Sequence, residues 1–262
     1  MNEILKVTNL SVRFDTPEGL FSAVKNISFD INEGKCLGIV GESGSGKTQT
    51  FFSITGLLSN NGACDGSAFF KGVDLLGKDS KKISKLRGKE IGFIFQDPMT
   101  SLTPHMKIGN QMIEALVYHE KTSKKEALKK AKDILSIVRM PRIENIMQKY
   151  PHELSGGMKQ RVMIGISLMC SPSLIIADEP TTALDVTTQK DILNIFNELK
   201  LNKNITIALI SHDIGVIAEV SDDIMVMNEG KLIEKGSCNQ ILKEPKEEYT
   251  KHLLSCIPEW LN

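Results

Sequence analysis

The chain has 262 residues, 41% hydrophobic and 24% charged, which suits one large or two small folded units with a real core. Basic and acidic residues number 32 each, so the formal net charge is zero and gives no support for non-specific nucleic-acid binding. No apolar run approaches the roughly 18 residues of a membrane span, and no signal peptide is expected. Five scattered cysteines without a Cys-x-x-Cys pair predict free thiols, not disulfides or a zinc site.

The N-terminal 40 residues predict short strands and turns. β-branched or alternating residues indicate strands, and proline and glycine indicate a turn between two of them. The predicted strands are Ile4–Val7, Ser11–Phe14, Ala23–Phe29 and Cys36–Val40, with the turn at Pro17 and Gly19. The last strand leads directly into a glycine-rich loop.

The rest of the chain predicts an α/β fold. Residues 98–150 have helical spacing, with a capping box at Ser123 and Glu126. Further strands are expected at Ile91–Phe95, Leu174–Ala177, Ile205–Ile210 and Ile224–Met227, with a helix at Gln189–Leu199. Alternation of strands with helices predicts a mainly parallel sheet covered on both faces, with the helical stretch as an insertion.

GESGSGKT, Gly41 to Thr48, matches G-x-x-x-x-G-K-[ST] between a predicted strand and a predicted helix. Glycines let the backbone fold around a phosphate, and a helix N-terminus favours the negative charge. Lys47 is expected to reach the β- and γ-phosphates, and Thr48 to bind Mg²⁺. The phosphate loop comprises Gly41, Glu42, Ser43, Gly44, Ser45, Gly46, Lys47 and Thr48.

SLIIADEP, Ser173 to Pro180, places two acidic residues at the end of a buried strand. Asp178 is expected to hold Mg²⁺ through water, and Glu179 to polarise the attacking water. In isolation such a pair would equally suit a helix cap. Together the two motifs predict Mg-ATP or Mg-GTP, and the absence of a guanine-reading N-K-x-D sequence favours ATP.

A second glycine loop, Ser155–Gly157, lies in LSGGMKQRV. Its backbone N–H groups, the Ser155 hydroxyl and a helix dipole are suited to a phosphate. The chain's own phosphates are already assigned to the phosphate loop. Ser155, Gly156 and Gly157 are therefore expected to serve a nucleotide bound to another subunit.

These motifs, in this order, resemble the ATP-binding cassette of ABC transporters over essentially the whole chain. LSGGMKQRV resembles the family signature, FIFQDP its Q-loop, TALD its D-loop and ISHD its switch histidine. The resemblance implies roles for Gln96 in catalysis and as a magnesium ligand, Asp185 in the D-loop, His212 in catalysis and Phe14 against adenine. It also implies two cassettes that close head to tail over two ATP molecules.

The resemblance further implies a single ATP-binding domain. Its core is expected at residues 1–97 and 161–245, its helical subdomain at 98–160, and a short extension at 246–262. A transporter subunit is the favoured interpretation, with two separate permeases, a second ATPase subunit and an extracytoplasmic binding protein as partners. It would lie peripherally on the cytoplasmic face of the membrane.

Two other interpretations compete with a transporter subunit. A cassette acting on DNA or ribosomes would favour coiled-coil arms, two cassettes or a basic surface, and none is evident. A purely regulatory nucleotide-binding module would favour loss of Glu179 or His212, and both are present. No nucleic-acid partner is expected.

The stretches QDPMTSLTPHMKIGNQMIEAL, PHELSGGMKQRVMI, ADEPTTALDVTTQ and EPKEEYTKHLL resemble the importers of peptides, nickel and related metal chelates. Peptides are placed first, and a metal or metal chelate is the alternative. Thr103, where Asn is common, and Glu247–Glu248, where His-Pro is common, depart from this branch. Only Cys256 lies near the end, so no iron–sulfur cluster is expected.

Overall fold

A computed structural model describes residues 2–77 and 80–255. The chain forms two compact units, one of Met1–Ser84 with Lys200–Asn262 and the other of Lys85–Leu199. The predicted boundaries of a core at 1–97 and 161–245 and a helical subdomain at 98–160 stay a prediction. Cys256, on which the expected absence of a cluster depends, lies outside the described residues, as does the end of the predicted extension.

The first part of the chain builds an antiparallel sheet and one buried parallel strand. Its elements are β1 (Glu3–Thr16), β2 (Gly19–Asn32), β3 (Cys36–Val40), α1 (Lys47–Thr55), β4 (Gly62–Phe70), β5 (Val73–Asp74) and α2 (Ser80–Leu86). The sheet has the order β2-β1-β4-β5. Its inward positions, such as Leu5 and Leu10, are fully buried, which fixes the register because a one-residue slip would expose them.

The prediction of two short strands in residues 4–14 was wrong, because they belong to one long strand. The irregularity that separates them is a shift in register between Val7 and Leu10, where Asn9 has a φ of 52°. Such a bulge leaves pairing on both sides intact, so the strand continues through it. The turn predicted at Pro17 is confirmed as a two-residue connection to β2, which begins at Gly19.

The second unit is mostly helical around one pair of parallel strands. Its elements are β6 (Ile91–Ile94), α3 (Pro98–Ser101), α4 (Ile108–Glu120), α5 (Lys124–Ile137), α6 (Ile143–Gln148), a 3-10 turn (Pro151–Glu153), α7 (Gly156–Leu168), β7 (Leu174–Asp178) and α8 (Val186–Lys203). The hydroxyl of Ser123 accepts from the N–H of Glu126, which confirms the predicted start of α5. Met112, Leu135 and Ile164 form the buried core shared by α4, α5 and α7.

The last part of the chain completes the first unit. Its elements are β8 (Thr206–Ser211), α9 (Ile214–Val220), β9 (Asp223–Asn228), β10 (Lys231–Ser237), α10 (Cys238–Lys243) and α11 (Glu248–Ser255). Within this unit β3 pairs in parallel with β8 on one side and β9 on the other, and β10 joins β9 antiparallel. All residues of β3 and β8 are buried, as expected of strands covered on both faces.

Besides the two-residue β5, strands β4 and β10 were not predicted. The sequences of β4 and β10, GACDGSAFF and KLIEKGS, contain glycine, charged and small residues that are depleted in strands. Both form because a longer or more apolar neighbour, β1 or β9, pairs with them. No helix within residues 2–77 and 80–255 combines the length and apolar character needed to cross a bilayer.

Asp222 fixes the start of β3, the strand that ends at the phosphate loop. Its carboxylate accepts from the buried N–H of Cys36 at 2.8 Å and lies 3.2 Å from the ammonium nitrogen of Lys200. Burial raises the pKa of Asp222, but the hydrogen bond from Cys36 and the charge of Lys200 outweigh burial and hold that pKa below its usual range. The ionised carboxylate therefore stabilises this junction.

We expect Asp222→Ala to lower the free energy of unfolding at neutral pH by about 1–3 kcal/mol, because the Cys36 N–H loses its charged acceptor. The native pKa of Asp222 is depressed, so its stabilisation is complete above the unfolded-state pKa and is lost as pH falls through the native pKa. Chemical denaturation at pH 7 and at progressively lower pH measures this. Asp133→Ala, at an exposed position, serves as the control. The assignment would be contradicted if the difference in free energy of unfolding between the wild type and Asp222→Ala did not shrink in acid.

Candidate nucleotide-binding site

Parallel pairing brings the phosphate loop and His212 to one edge of the first unit. Val40, the last residue of β3, pairs with Ser211, the last residue of β8. Gly41 directly follows Val40, and His212 directly follows Ser211, so both lie just beyond the carboxyl ends of adjacent strands. This is the edge at which open α/β sheets bind ligands. His212 is exposed there.

The glycines of the phosphate loop are required by close backbone approach. Gly41 has a φ of 155°, and a Cβ there would lie 2.1 Å from the carbonyl oxygen of Met227. Gly46 has a φ of 96°, and a Cβ there would lie 2.4 Å from the carbonyl oxygen of Ala23. A larger residue at either position would displace backbone, so the loop's shape depends on glycine.

Lys47 is buried inside the phosphate loop with its ammonium group turned towards the loop's own carbonyls. Its Nζ donates to the carbonyl oxygens of Gly41 at 2.7 Å and Glu42 at 2.8 Å. Lysine provides a compact point charge on a flexible stem, so this group is already at the loop and needs only a side-chain rotation to meet an anion.

The N-terminus of α1 adds favourable electrostatics. Gly46, the residue before the helix, has no side chain that could cap the first turn. The start of the helix therefore presents backbone N–H groups and the positive end of the helix dipole. Thr48 is half-buried in this first turn, and Ser45 is buried. This donor set of N–H groups, a hydroxyl and an ammonium suits a polyphosphate.

Phe14 lies in the antiparallel sheet of the same unit. Its ring is half-buried against Gly62, where an added Cβ would lie 2.8 Å from the ring's Cε1 atom. Phe14 pairs across the sheet with exposed Phe21. Its contact with adenine stays a prediction.

In the second unit, parallel pairing of two strands brings Gln96 and Glu179 together. Strands β6 and β7 are parallel, with Ile94 paired to Ala177, so Gln96 and Glu179 each lie two residues beyond the pair. The side-chain nitrogen of Gln96 donates to the Glu179 carboxylate at 3.1 Å. The Thr182 hydroxyl donates to the same oxygen at 2.9 Å.

The backbone around Glu179 is also constrained. Glu179 has a φ of 46°, in the left-handed region, where a non-glycine residue is held only by its surroundings. Asp178, just before it, is 3% exposed at the end of β7. Strained backbone and a buried carboxylate at a strand end are typical of a functional site.

The second glycine loop begins α7, as predicted. The Ser155 hydroxyl caps the helix by accepting from the N–H of Met158. Gly157 has no room for a side chain, because a Cβ there would lie 2.5 Å from Cγ2 of Thr188. The exposed N-terminal turn of α7 is therefore held directly against the start of α8.

Asp185 fixes Thr188 against this loop. Its carboxylate accepts from the Thr188 N–H at 2.9 Å and from the Thr188 hydroxyl at 2.7 Å. The Thr188 N–H, followed by its hydroxyl, holds the pKa of Asp185 below its usual range. A cavity of about 330 Å³ opens beside this contact, lined by Arg139, Pro141, Ser155, Gly157, Met158, Arg161 and Thr188.

The predicted residues thus fall into two groups. Phe14, the phosphate loop and His212 lie in the first unit, and Gln96, Asp178, Glu179, Asp185 and the second glycine loop lie in the second. Sequence reasoning missed Thr182 and Thr188, which hold Glu179 and Gly157. Each lies three residues after an assigned acidic residue, a spacing typical of turns and caps that could have identified them.

The fold and its loops define a phosphate-loop ATPase. Residues 24–182 match the family model described as ABC transporter, and the chain therefore belongs to the ABC transporter family as an ATP-binding cassette ATPase. It is 49% identical over 258 residues to the oligopeptide transport ATP-binding protein OppD of Haemophilus influenzae, covering 98% of this chain and 80% of that protein. It is 45% identical to the dipeptide transport ATP-binding protein DppD of Bacillus subtilis, covering 98% and 79%.

Solved structures share this fold. A dimeric post-hydrolysis state of the ATP-binding cassette MJ0796, bound to ADP and Pi, has a TM-score of 0.80 at 27% identity, covering 89% of this chain and 98% of that one. CbiO1 from Clostridium perfringens, part of an ABC transporter complex, has a TM-score of 0.79 at 28% identity, covering 100% and 98%. The predicted fold class is confirmed.

Proposed function

We propose that this chain is the ATP-hydrolysing subunit of an importer for peptides and that two ATPase subunits share each ATP. The observation that carries the proposal is the presence of two separate glycine loops, each of which begins a helix. The phosphate loop has its own lysine and helix N-terminus. The second glycine loop presents another helix N-terminus beside an open cavity.

In this proposal each side chain has a distinct task. Lys47 moves from the loop carbonyls to the β- and γ-phosphates. Thr48 and Gln96, with Asp178 acting through water, would hold Mg²⁺. Hydroxyl, carboxylate and amide oxygens are the ligands that Mg²⁺ prefers, so the residue types fit this ion. Mg²⁺ held there would neutralise the negative charge that develops on the phosphate during transfer.

Glu179 accepts a proton from the attacking water, which Gln96 and His212 help to orient. The hydrogen bonds from Gln96 and Thr182 support this role because they fix the orientation of the Glu179 carboxylate. An oriented base next to the reacting water contributes to the rate without reorganisation during the reaction.

The second glycine loop completes the site of the partner subunit. Ser155, Gly156 and Gly157 direct N–H groups and a hydroxyl to the partner's γ-phosphate, and closure excludes water from that phosphate. The rigid contact between Gly157 and Thr188 supports this role because it preorganises the loop. Asp185 maintains that contact, and Phe14 stacks on adenine.

The transporter context extends the same proposal. Two membrane permeases and an extracytoplasmic binding protein complete the system, and the chain lies on the cytoplasmic face of the membrane. Exposed Met99 and Val117 in the helical part of the second unit offer apolar surface for a permease. The second ATPase subunit is another copy or a related chain.

We expect Glu179→Gln to slow ATP hydrolysis by about 10²–10⁴-fold while Mg-ATP binding is retained, because only the proton acceptor is lost. Since the closed site forms but does not react, Mg-ATP should hold the variant as a dimer. Turnover and size-exclusion chromatography measure both effects, with exposed Glu114→Gln as the matched control. A monomeric variant with normal turnover would show that Glu179 is not the base.

Peptides are proposed as cargo because the relatives include oligopeptide and dipeptide transport proteins. We expect the cognate extracytoplasmic binding protein to capture short peptides in preference to nickel or a metal chelate. Calorimetric titration with di- to pentapeptides, with nickel and with nickel–histidine tests this. Selective metal capture would replace peptides with the nickel alternative, and capture of a sugar would contradict both.

A further inference from the structure

The helix α11 contacts the phosphate loop through one side chain. The hydroxyl of Tyr249, half-buried in the first turn of α11, accepts a hydrogen bond from the backbone N–H of Glu42 at 3.3 Å. Burial, the largest effect, raises the pKa of Tyr249, so its phenol is neutral at physiological pH. The C-terminal part of the described chain therefore meets the loop to which ATP is assigned.

Glu42 is the residue through which the loop's conformation is held. Its carbonyl oxygen accepts from Lys47 Nζ at 2.8 Å and from the N–H of Ser45 at 3.2 Å. A phosphate that attracts the ammonium group of Lys47 competes with the first of these bonds. The bond to Tyr249 involves the opposite side of the residue and is compatible with that movement.

A buried carboxylate anchors α11 at its start. Glu234, in β10 and only 7% exposed, accepts from the N–H groups of Lys246 and Glu247 at 3.0 and 3.2 Å. A negative charge at a helix N-terminus is favourable. Burial raises the pKa of Glu234, but the hydrogen bonds that its carboxylate accepts outweigh burial and leave that pKa below its usual range.

Strand β10, which carries Glu234, forms a hairpin with β9, and the turn of this hairpin holds the phosphate loop at a second point. Gly230, in the turn between β9 and β10, donates its N–H to the carbonyl oxygen of Ser45 at 3.1 Å. Gly230 thus holds the loop at Ser45, and Tyr249 holds it near its beginning, at Glu42. Between them, Gly44 has a φ of 81° and open space where a Cβ would lie, which leaves that part free for a ligand.

We propose that Tyr249 is a positioning residue for nucleotide binding: anchored by Glu234 through α11, it preorganises the phosphate loop at Glu42. This inference rests on the proposed assignment of ATP to that loop. Preorganisation lowers the entropy that binding must otherwise remove, so it affects affinity more than the chemical step. Glu42 is exposed, and water can replace the phenol as its acceptor, so loss of the bond leaves the nucleotide-free fold nearly as stable.

Tyr249→Phe in the full-length chain tests the proposal. We expect the Kd for Mg-ATP to rise about three- to tenfold, which is the change expected for the loss of one hydrogen bond. The unfolding midpoint without nucleotide and the hydrolysis rate at saturating Mg-ATP should remain unchanged. Tyr118→Phe, at a tyrosine that is 80% exposed in α4, is the matched control and should alter none of the three quantities.

Two results would overturn the proposal. One is a rise in Kd below about threefold, the lower end expected for this bond. The other is a rise accompanied by a lower unfolding midpoint, because Tyr249 would then act on the fold and not on the loop. If the wild-type chain bound no nucleotide at all, the proposed function itself would fail, so the two failures are distinguishable.

Glu234→Gln tests the route through α11. It weakens the anchor, so we expect a higher Kd for Mg-ATP and a smaller additional effect of Tyr249→Phe in the double variant, because both changes act on one contact. Independent effects of the two substitutions, or no effect of Glu234→Gln, would contradict this route.

Discussion

Parallel pairing of short, largely buried strands is the constraint on which the site depends. β3 and β8 end side by side, and the phosphate loop and His212 follow them. β6 and β7 end side by side, and Gln96 and Glu179 follow them into a hydrogen bond. Because strands in parallel share the direction of their carboxyl ends, residues far apart in sequence are brought together at the end of each pair. Burial of each strand on both faces keeps these positions fixed.

The backbone of the two glycine loops is shaped by contacts that leave little space for a side chain. Gly41 and Gly46 approach carbonyl oxygens of other strands, and Gly157 approaches Thr188. These contacts set the shape of the two glycine loops before any ligand arrives, which is the arrangement that electrostatic catalysis requires. The hydrogen bond that Gly230 donates to Ser45 and the one that Tyr249 accepts from Glu42 extend the same constraint to the C-terminal part of the first unit.

The sequence predicted best what is local. The boundaries of β3 follow from a short apolar run, and the cap of α5 at Ser123 follows from a capping-box pattern; the structure has both. It predicted poorly what depends on a neighbour. β4 lacks strand-forming residues and exists because β1 pairs with it, and the bulge at Asn9 was taken for a gap between two strands. Likewise, Tyr249 meets Glu42 across 207 residues, a contact that no local pattern indicates.

The central claim is that two ATPase subunits share a site, and a mixture of two inactive variants of this chain tests it most directly. Lys47→Ala removes the phosphate loop's charge but keeps the second glycine loop, and Gly157→Leu does the reverse. When the two variants are mixed with each other, they should recover hydrolysis that neither has alone, because one of the two sites in a mixed dimer is intact. The wild-type chain, assayed separately, serves as the reference. If the wild-type chain is active and the mixture stays as inactive as each variant, the shared site is contradicted.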